Sequence, residues 1–473
     1  MLDRKYTEFS GRFVMVGFGS IGQGVLPLLL RHIDLRPPQI TIVTAEPRGA
    51  EIAGEYGVAF VETALTRENC RSVLDPLVGP GDFLLNVSVD VSSVALIEFC
   101  QEKRALYLDT CIEPWPGGYT DPNLPPAARS NYALRESALA LRARCPGGPT
   151  AVITHGANPG LVSHFVKQAL VEVARETDPA IRPPVERRDW AVLAERLDVK
   201  AVHIAERDTQ VSATLAKEPG EFVNTWSIDG FFSEGSQPAE LGWGTHERHF
   251  PQDARRHDFG SRAAIYLLRP GAGTRVRSWT PLEGPYLGFL ITHGESISIA
   301  DYLTLHEGAG AARYRPTCHY AYHPCDDAVL SLHELAGKNW QLQTRKRLMM
   351  DEISDGIDEL GVLLMGPRNR VYWYGSRLSI AEARRLAPHN NATSLQVTAA
   401  VLAGAIWAIE HPECGIVEPE EMDFARILEI ARPYLGEVVG VWGDWTPLRG
   451  RERLFPEDLD RDDPWQFKNI RVV

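Results

Sequence analysis

Over residues 1–160 the chain alternates between two textures of hydrophobic and polar positions. Mostly apolar runs at 11–16, 39–46, 58–61, 82–90, 105–109 and 150–160 read as strands buried on both faces, since such strands dispense with polar alternation. Between them the spacing becomes helical, over 25–30, 66–74, 92–103 and 132–144. Thr66 is the expected N-cap of the second of these, with Glu68 in its first turn. Strand then helix, repeated, predicts a parallel sheet wound on both sides by helices. A Pro- and Gly-rich excursion at 113–128 interrupts this rhythm as a loop.

The texture changes after the sharp corner Gly156-Ala-Asn-Pro-Gly160. An amphipathic helix at 161–173 leads into shorter strands, at 201–204, 262–268 and 288–292, among many aromatics and Gly/Pro turns. An Ala-rich helix at 393–409, with Thr393 or Ser394 as its cap, is apolar enough to pack back on the first unit. A helix is expected at 419–431, and the Trp-, Pro- and Arg-rich segment after it gives no readable pattern. The expected architecture is α/β: a Rossmann-type doubly wound domain at 1–160, completed by a helix near 390–410, then a second, mixed α/β substrate-binding and dimerisation domain at 161–389. A C-terminal extension would fill 411–473.

The first strand runs straight into Gly17-Phe-Gly-Ser-Ile-Gly22. Gly17 permits the turn, Gly19 lets the backbone approach a pyrophosphate, and Gly22 lets helix and strand pack closely. Ser20 and Ile21 open a helix whose free N–H groups and positive end face the phosphates. Glu46 closes the second strand 24 residues beyond Gly22, placed for ribose hydroxyls. A carboxylate there repels a 2′-phosphate, so NAD is favoured over NADP. Polar residues end the later strands as well, with Asn86, Ser88 and Asp90 after one, and Asp109, Thr110 and Glu113 after the next. Ligands sit at strand carboxyl ends in such sheets, so these positions predict the rim of a site.

Composition narrows the partners. A net charge of −13 argues against nucleic acid and anionic membranes, and mildly favours a cationic ligand. Seven cysteines with no CxxC spacing fit reduced thiols in a cytoplasm better than a disulfide framework. The N-terminus lacks a signal-peptide core, and the apolar run at 395–409 is short of the ~20 residues of a membrane span. No metal is expected. His319 and His323 have a spacing that could bind one on a helix, with Cys318 and Cys325 nearby, but prolines flank the stretch. No Gly-x-Ser-x-Gly elbow supports a nucleophilic serine.

Taken together, the nucleotide motif with Glu46, Asn86-Val-Ser-Val-Asp90, Leu108-Asp-Thr-Cys-Ile-Glu113 and Gly156-Ala-Asn-Pro-Gly160 resemble the saccharopine dehydrogenase-like superfamily. The similarity is closest to its bacterial homospermidine synthase family, and continues through Asn224-Thr-Trp-Ser-Ile-Asp-Gly230, Phe250, Ile291-Thr-His-Gly-Glu295 and residues 351–364. The resemblance implies that fold, a homodimer, and the joining of two putrescines, or of putrescine and spermidine, with release of ammonia or a diamine. NAD serves there as a recycled hydride carrier.

That reaction makes demands on residue types. A diamine ammonium with a pKa near ~10 must lose a proton before hydride can leave the adjacent carbon, so a base is needed beside the nicotinamide. Every intermediate is cationic, which calls for carboxylates and an aromatic face. By resemblance, Trp226 offers the cation–π face, Glu206 and Asp358 bind ammonium groups, Glu234 and His293 transfer protons, and Asn158 orients the amine. Asp90 and Glu113 add negative charge at the rim. One rival is a saccharopine- or carboxyspermidine-type dehydrogenase, which would need an Arg clamp for a substrate carboxylate. The other is a non-catalytic NAD-binding protein.

Overall fold

A computed structural model describes residues 4–308 and 310–472. Its N-terminal sheet has seven parallel strands in the order Ala59–Glu62, Ile40–Thr44, Phe13–Val16, Phe83–Asn86, Leu106–Asp109, Ala151–Val152 and Ile416–Val417. The order reverses beside Phe13–Val16, which puts a crevice at the carboxyl ends of that strand and its neighbour Phe83–Asn86. All four residues of Phe13–Val16 are buried. Phe13 and Met15 enter one apolar cluster, Val14 and Val16 another, so both faces of the sheet are covered.

The Ala-rich helix spans Ala392–Glu410 and packs on the helix Ser20–His32 and on the strand Leu106–Asp109. It approaches so closely that a Cβ on Gly404 would stand 2.7 Å from Leu108 and 2.8 Å from His155. By length and composition it could cross a membrane, yet 89% of its apolar window is buried inside the protein. Its cap is Asn391, which accepts from Ser394 N while Ser394 Oγ accepts from Asn391 N. The expected caps Thr393 and Ser394 thus lie inside the first turn. The helix expected at 66–74 starts only at Cys70, because Thr66 and Asn69 hydrogen-bond each other's backbone N–H and hold a turn ahead of it.

The second sheet has eleven strands. Its central strand Ala201–Asp208 lies parallel to Thr317–His323 and antiparallel to Ile357–Met365, which in turn pairs with Val371–Ser379. Residues 411–472 contribute strands to both sheets. Ile416–Val417 closes the N-terminal sheet, while Glu437–Gly443 and Arg471–Val472 join the second. Short strands lack the period needed to show such pairings in a sequence, because their partners are set by tertiary contact.

Candidate active site

The first strand ends where the three glycines take up different tasks. Gly17 has φ +89°, and its missing Cβ leaves room for Ser88 N, which would otherwise stand 2.7 Å away. A Cβ on Gly22 would meet Gly17 O at 2.9 Å and Met15 Sδ at 3.3 Å, so helix and strand are in close contact there. Nothing lies within 4 Å of the corresponding point on Gly19. That opening, ahead of the uncapped first turn at Ser20 and Ile21, suits a pyrophosphate. Glu46 lies two residues past Ile40–Thr44, exposed, with Arg48 3.6 Å away. Asn86 Oδ1 accepts from both the N and the Oγ of Ser88, which fixes the neighbouring strand end beside Gly17.

Asp109, expected at the cofactor rim, ends the strand Leu106–Asp109. It is fully buried, and accepts from Tyr107 Oη at 2.7 Å and Thr154 N at 2.6 Å. Its role is to tie two strand ends together, and burial raises its pKa to about 7 against those hydrogen bonds. Thr110, half buried, lies beside Gly156.

The corner at Gly156 to Gly160 carries Asn158 toward the second sheet, where its Nδ2 donates to Glu206 Oε2 at 3.1 Å. Tyr320 Oη donates to the same oxygen at 2.5 Å. Burial drives the Glu206 pKa upward, Asp208 adds to this, and the two hydrogen bonds and His293 oppose it. The Tyr320 ring lies 4.6 Å from His293 and stacks at 5.1 Å on Tyr322, whose Oη accepts from Trp226 Nε1 at 3.1 Å. Trp226 precedes the helix Ile228–Ser236, whose N-cap is Ser227, and Glu234 projects from that helix. Glu234 was legible as a Ser-Glu-Gly position but not as helical, since two glycines flank the run.

His293 sits in the loop between Gly284–Phe289 and the helix Glu295–Tyr302, with Nε2 2.9 Å from Glu234 Oε2. It shares a cavity with Cys111, Ile112, Tyr119, Thr154 and Pro159. Tyr119 comes from the expected loop 113–128, most of which stays at the surface, and turns inward with its Oη donating to Ile112 O. Cys111 Sγ donates to Glu113 Oε1 at 3.2 Å, and Asp90 N to Glu113 Oε2 at 3.4 Å. Burial lifts the Glu113 pKa to about 8 despite those bonds, with Glu234 and Asp90 adding repulsion. Asp90 is also raised, by burial and then by Asp229.

Asp358 lies opposite Asp208 in the antiparallel pairing, one strand from Glu206. Thr393 Oγ1 donates to its Oδ2 at 2.5 Å, while its buried Oδ1 receives no hydrogen bond. Burial and the Glu206 and Asp208 charges raise its pKa. Asp208, Tyr320, Tyr322 and Glu295 escaped the sequence reading. The period-2 signal was present, since Glu206 and Asp208 alternate on one strand and Tyr320 and Tyr322 on the next. His319 and His323, whose spacing could suit a metal on a helix, lie on that strand instead. His319 turns to the other face, 4.0 Å from the ring of His203.

Family models described as the saccharopine dehydrogenase NADP binding domain and C-terminal domain match residues 13–152 and 156–444. The chain is 57% identical to a homospermidine synthase of Blastochloris viridis, over 99% of this chain and 98% of the relative. It is 52% identical to one of Mesorhizobium japonicum, over 99% and 97%. A crystal structure of the homospermidine synthase of Legionella pneumophila, in complex with NAD, superimposes with a TM-score of 0.92 at 51% identity, over 98% of each chain. Saccharopine dehydrogenase of Saccharomyces cerevisiae shares the fold, with a TM-score of 0.50 at 9% identity over 92% of this chain. By these matches across both sheets and nearly its full length, the chain belongs to the homospermidine synthase family of saccharopine dehydrogenase-like proteins.

Proposed function

We propose that this protein is an NAD-dependent homospermidine synthase acting on putrescine and related diamines. The observation that carries the reading is the convergence of buried carboxylates and aromatic rings between the two sheets. Glu206, Asp208 and Asp358 lie fully or almost fully buried on adjacent strands, beside Tyr320, Tyr322 and Trp226. Their raised pKa values mark a field that a dication would relieve. The guanidinium lining the cavity, Arg135, is already bound by Glu418 and Asp301, which leaves it unsuited to clamp a substrate carboxylate.

The glycine turn fits a dinucleotide, and Glu46 favours NAD. When bound, NAD supplies uptake of a hydride from the carbon beside the reacting amine and its later return. The chain's own residues do the rest. Glu206 and Asp358 hold ammonium groups, and the Asn158 amide, pinned on Glu206, directs its oxygen at the reacting nitrogen. Glu234 and His293 move protons there. Trp226, fixed by its bond to Tyr322, presents its ring to the cationic imine, and Asp90 and Glu113 keep the rim anionic. Exchange of ammonia for a second putrescine then gives the secondary imine, which the returned hydride would reduce to the secondary amine. The working protein is a homodimer in the cytoplasm, and light scattering on the purified protein reads the oligomeric state directly.

The deciding experiment supplies putrescine and a trace of NAD without reductant, and follows product by mass spectrometry and ammonia release. Homospermidine in large excess over NAD, with no accumulating NADH, is expected. Turnover only with an amino-acid partner and stoichiometric NAD(P)H would replace this reading with an amino-acid-linked dehydrogenase.

A further inference from the structure

His293 stands between two carboxylates. Its Nε2 faces Glu234 at 2.9 Å, and its Nδ1 lies 3.3 Å from Glu295 Oε1. Glu295 is 1% exposed, and neither of its oxygens receives a hydrogen bond. A buried carboxylate without donors is strongly disfavoured unless a cation faces it. Its position in the first turn of Glu295–Tyr302 places it at a favourable helix end, but that effect is small beside the desolvation. The group within reach that can carry the missing charge is the His293 ring.

We propose that Glu295 is a positioning residue that holds His293 as a doubly protonated imidazolium with its Nε2–H donated to Glu234. This rests on the synthase reading for its use, though not for its geometry. The groups that face the ring agree with it. Glu206 acts on it from the strand Ala201–Asp208, and the Tyr320 ring packs 4.6 Å away from Thr317–His323. Cys111 and Glu113 lie beyond Glu234, with Cys318 and Glu420 beyond Glu295. These are anionic or neutral, and the Arg135 guanidinium in the same cavity is engaged with Glu418 and Asp301. Burial alone would lower the imidazole pKa, but the two flanking carboxylates outweigh it and raise it.

A ring charged in this way gives protons and cannot take one. The proton that leaves the first ammonium therefore passes to Glu234 Oε1, the oxygen the ring does not hold. The amine N–H bond breaks, a carboxyl O–H bond forms, and the imidazolium stays as it was. Without Glu295 the ring would lose its proton in the ordinary range and the pair would invert, with neutral His293 competing for the amine proton.

The test is a nitrogen-15 histidine titration of the NAD-loaded protein, with His293→Asn identifying the signal. Both ring nitrogens of His293 are expected to stay protonated well above the ordinary imidazole range in the unaltered chain, and the ring to titrate at markedly lower pH in Glu295→Gln. Alongside, Glu295→Gln should lower kcat at about pH 9 by at least ~10-fold while lowering it less than ~3-fold at about pH 6.5. A His293 ring that titrates in the ordinary imidazole range in the unaltered chain, or a kcat profile unmoved by Glu295→Gln, overturns the proposal. Should Glu295→Gln fail to fold, the titration of the unaltered chain decides alone. Absence of homospermidine would sink the synthase reading while leaving the ring's charge state readable.

Discussion

At the scale of single residues, the site stores its readiness for a cation as displaced carboxylate equilibria. A Glu in an unfolded chain ionises near ~4.3. Buried Glu113 does so near about 8, held up by desolvation and by Glu234 and Asp90. Between those two values the folded protein binds a proton that the unfolded chain does not, so stability falls as pH rises through the window. The contribution favours folding at the acid end and is lost on passing about 8. Putrescine supplies the positive charge in place of the proton, and binding should therefore expel protons. We expect the thermal midpoint of the NAD-loaded, substrate-free protein to drop between about pH 5 and about pH 8, and saturating putrescine to flatten that drop. Glu113→Gln, which cannot ionise, should make it shallower without substrate, the other raised carboxylates keeping the remainder. Scanning calorimetry over a pH series checks this, and an equal slope in Glu113→Gln would contradict it.

At the scale of elements, the three motif glycines make separable predictions because their surroundings differ. Gly19 faces open space, so Gly19→Ala should leave the fold alone and weaken NAD binding by ~10-fold or more, since the added methyl occupies the pyrophosphate's approach. A Cβ on Gly22 presses on Gly17 O, so Gly22→Ala should cost about 1–3 kcal/mol of stability. Denaturant unfolding paired with NAD titration tells the two apart. This first strand, turn and helix were legible in the sequence because their chemistry is local. So were the strands ending in Asn86 and Asp109, and the Ala-rich helix, whose apolar surface demanded burial. The middle region was legible only as residue types. Glu206 on its strand, Trp226 and Glu234 on one turn and helix, and His293 in a later loop lie tens of residues apart, and their meeting depends on a parallel pairing between Ala201–Asp208 and Thr317–His323. Nothing in either strand alone encodes that register. The direction in which Asp109 points was equally hidden, since a strand-end carboxylate can turn to solvent or tie a neighbouring loop.

At the scale of the whole molecule, the site exists only while the two sheets keep their relative position, and residues 418–422 help to fix it. Glu418 binds Arg135, which rises from the N-terminal domain's helix Asn131–Arg144 and also reaches Asp301 of the helix Glu295–Tyr302 at 2.8 Å. Two residues on, Glu420 accepts from Ser163 and Ser298 at 2.8 and 2.7 Å, and its carbonyl receives Lys167 Nζ at 2.5 Å. The segment is thus bonded to both halves at once. Arg135 is 4% exposed, so replacing it with Met would fill similar volume yet leave Glu418 buried without its cation, while Asp301 keeps Arg187. Removing one member of a buried pair costs about 3–5 kcal/mol. Because Arg135 also lines the cavity with Glu234 and His293, the loss should show in function before global unfolding. We expect Arg135→Met to lower the first denaturation midpoint and to split a single transition into two, with homospermidine synthesis lost at the earlier one and NAD affinity retained to the later. A single transition with activity and NAD binding lost together would show that the sheets are held by apolar packing alone, and that this buried ion cluster does no more than satisfy its own charges.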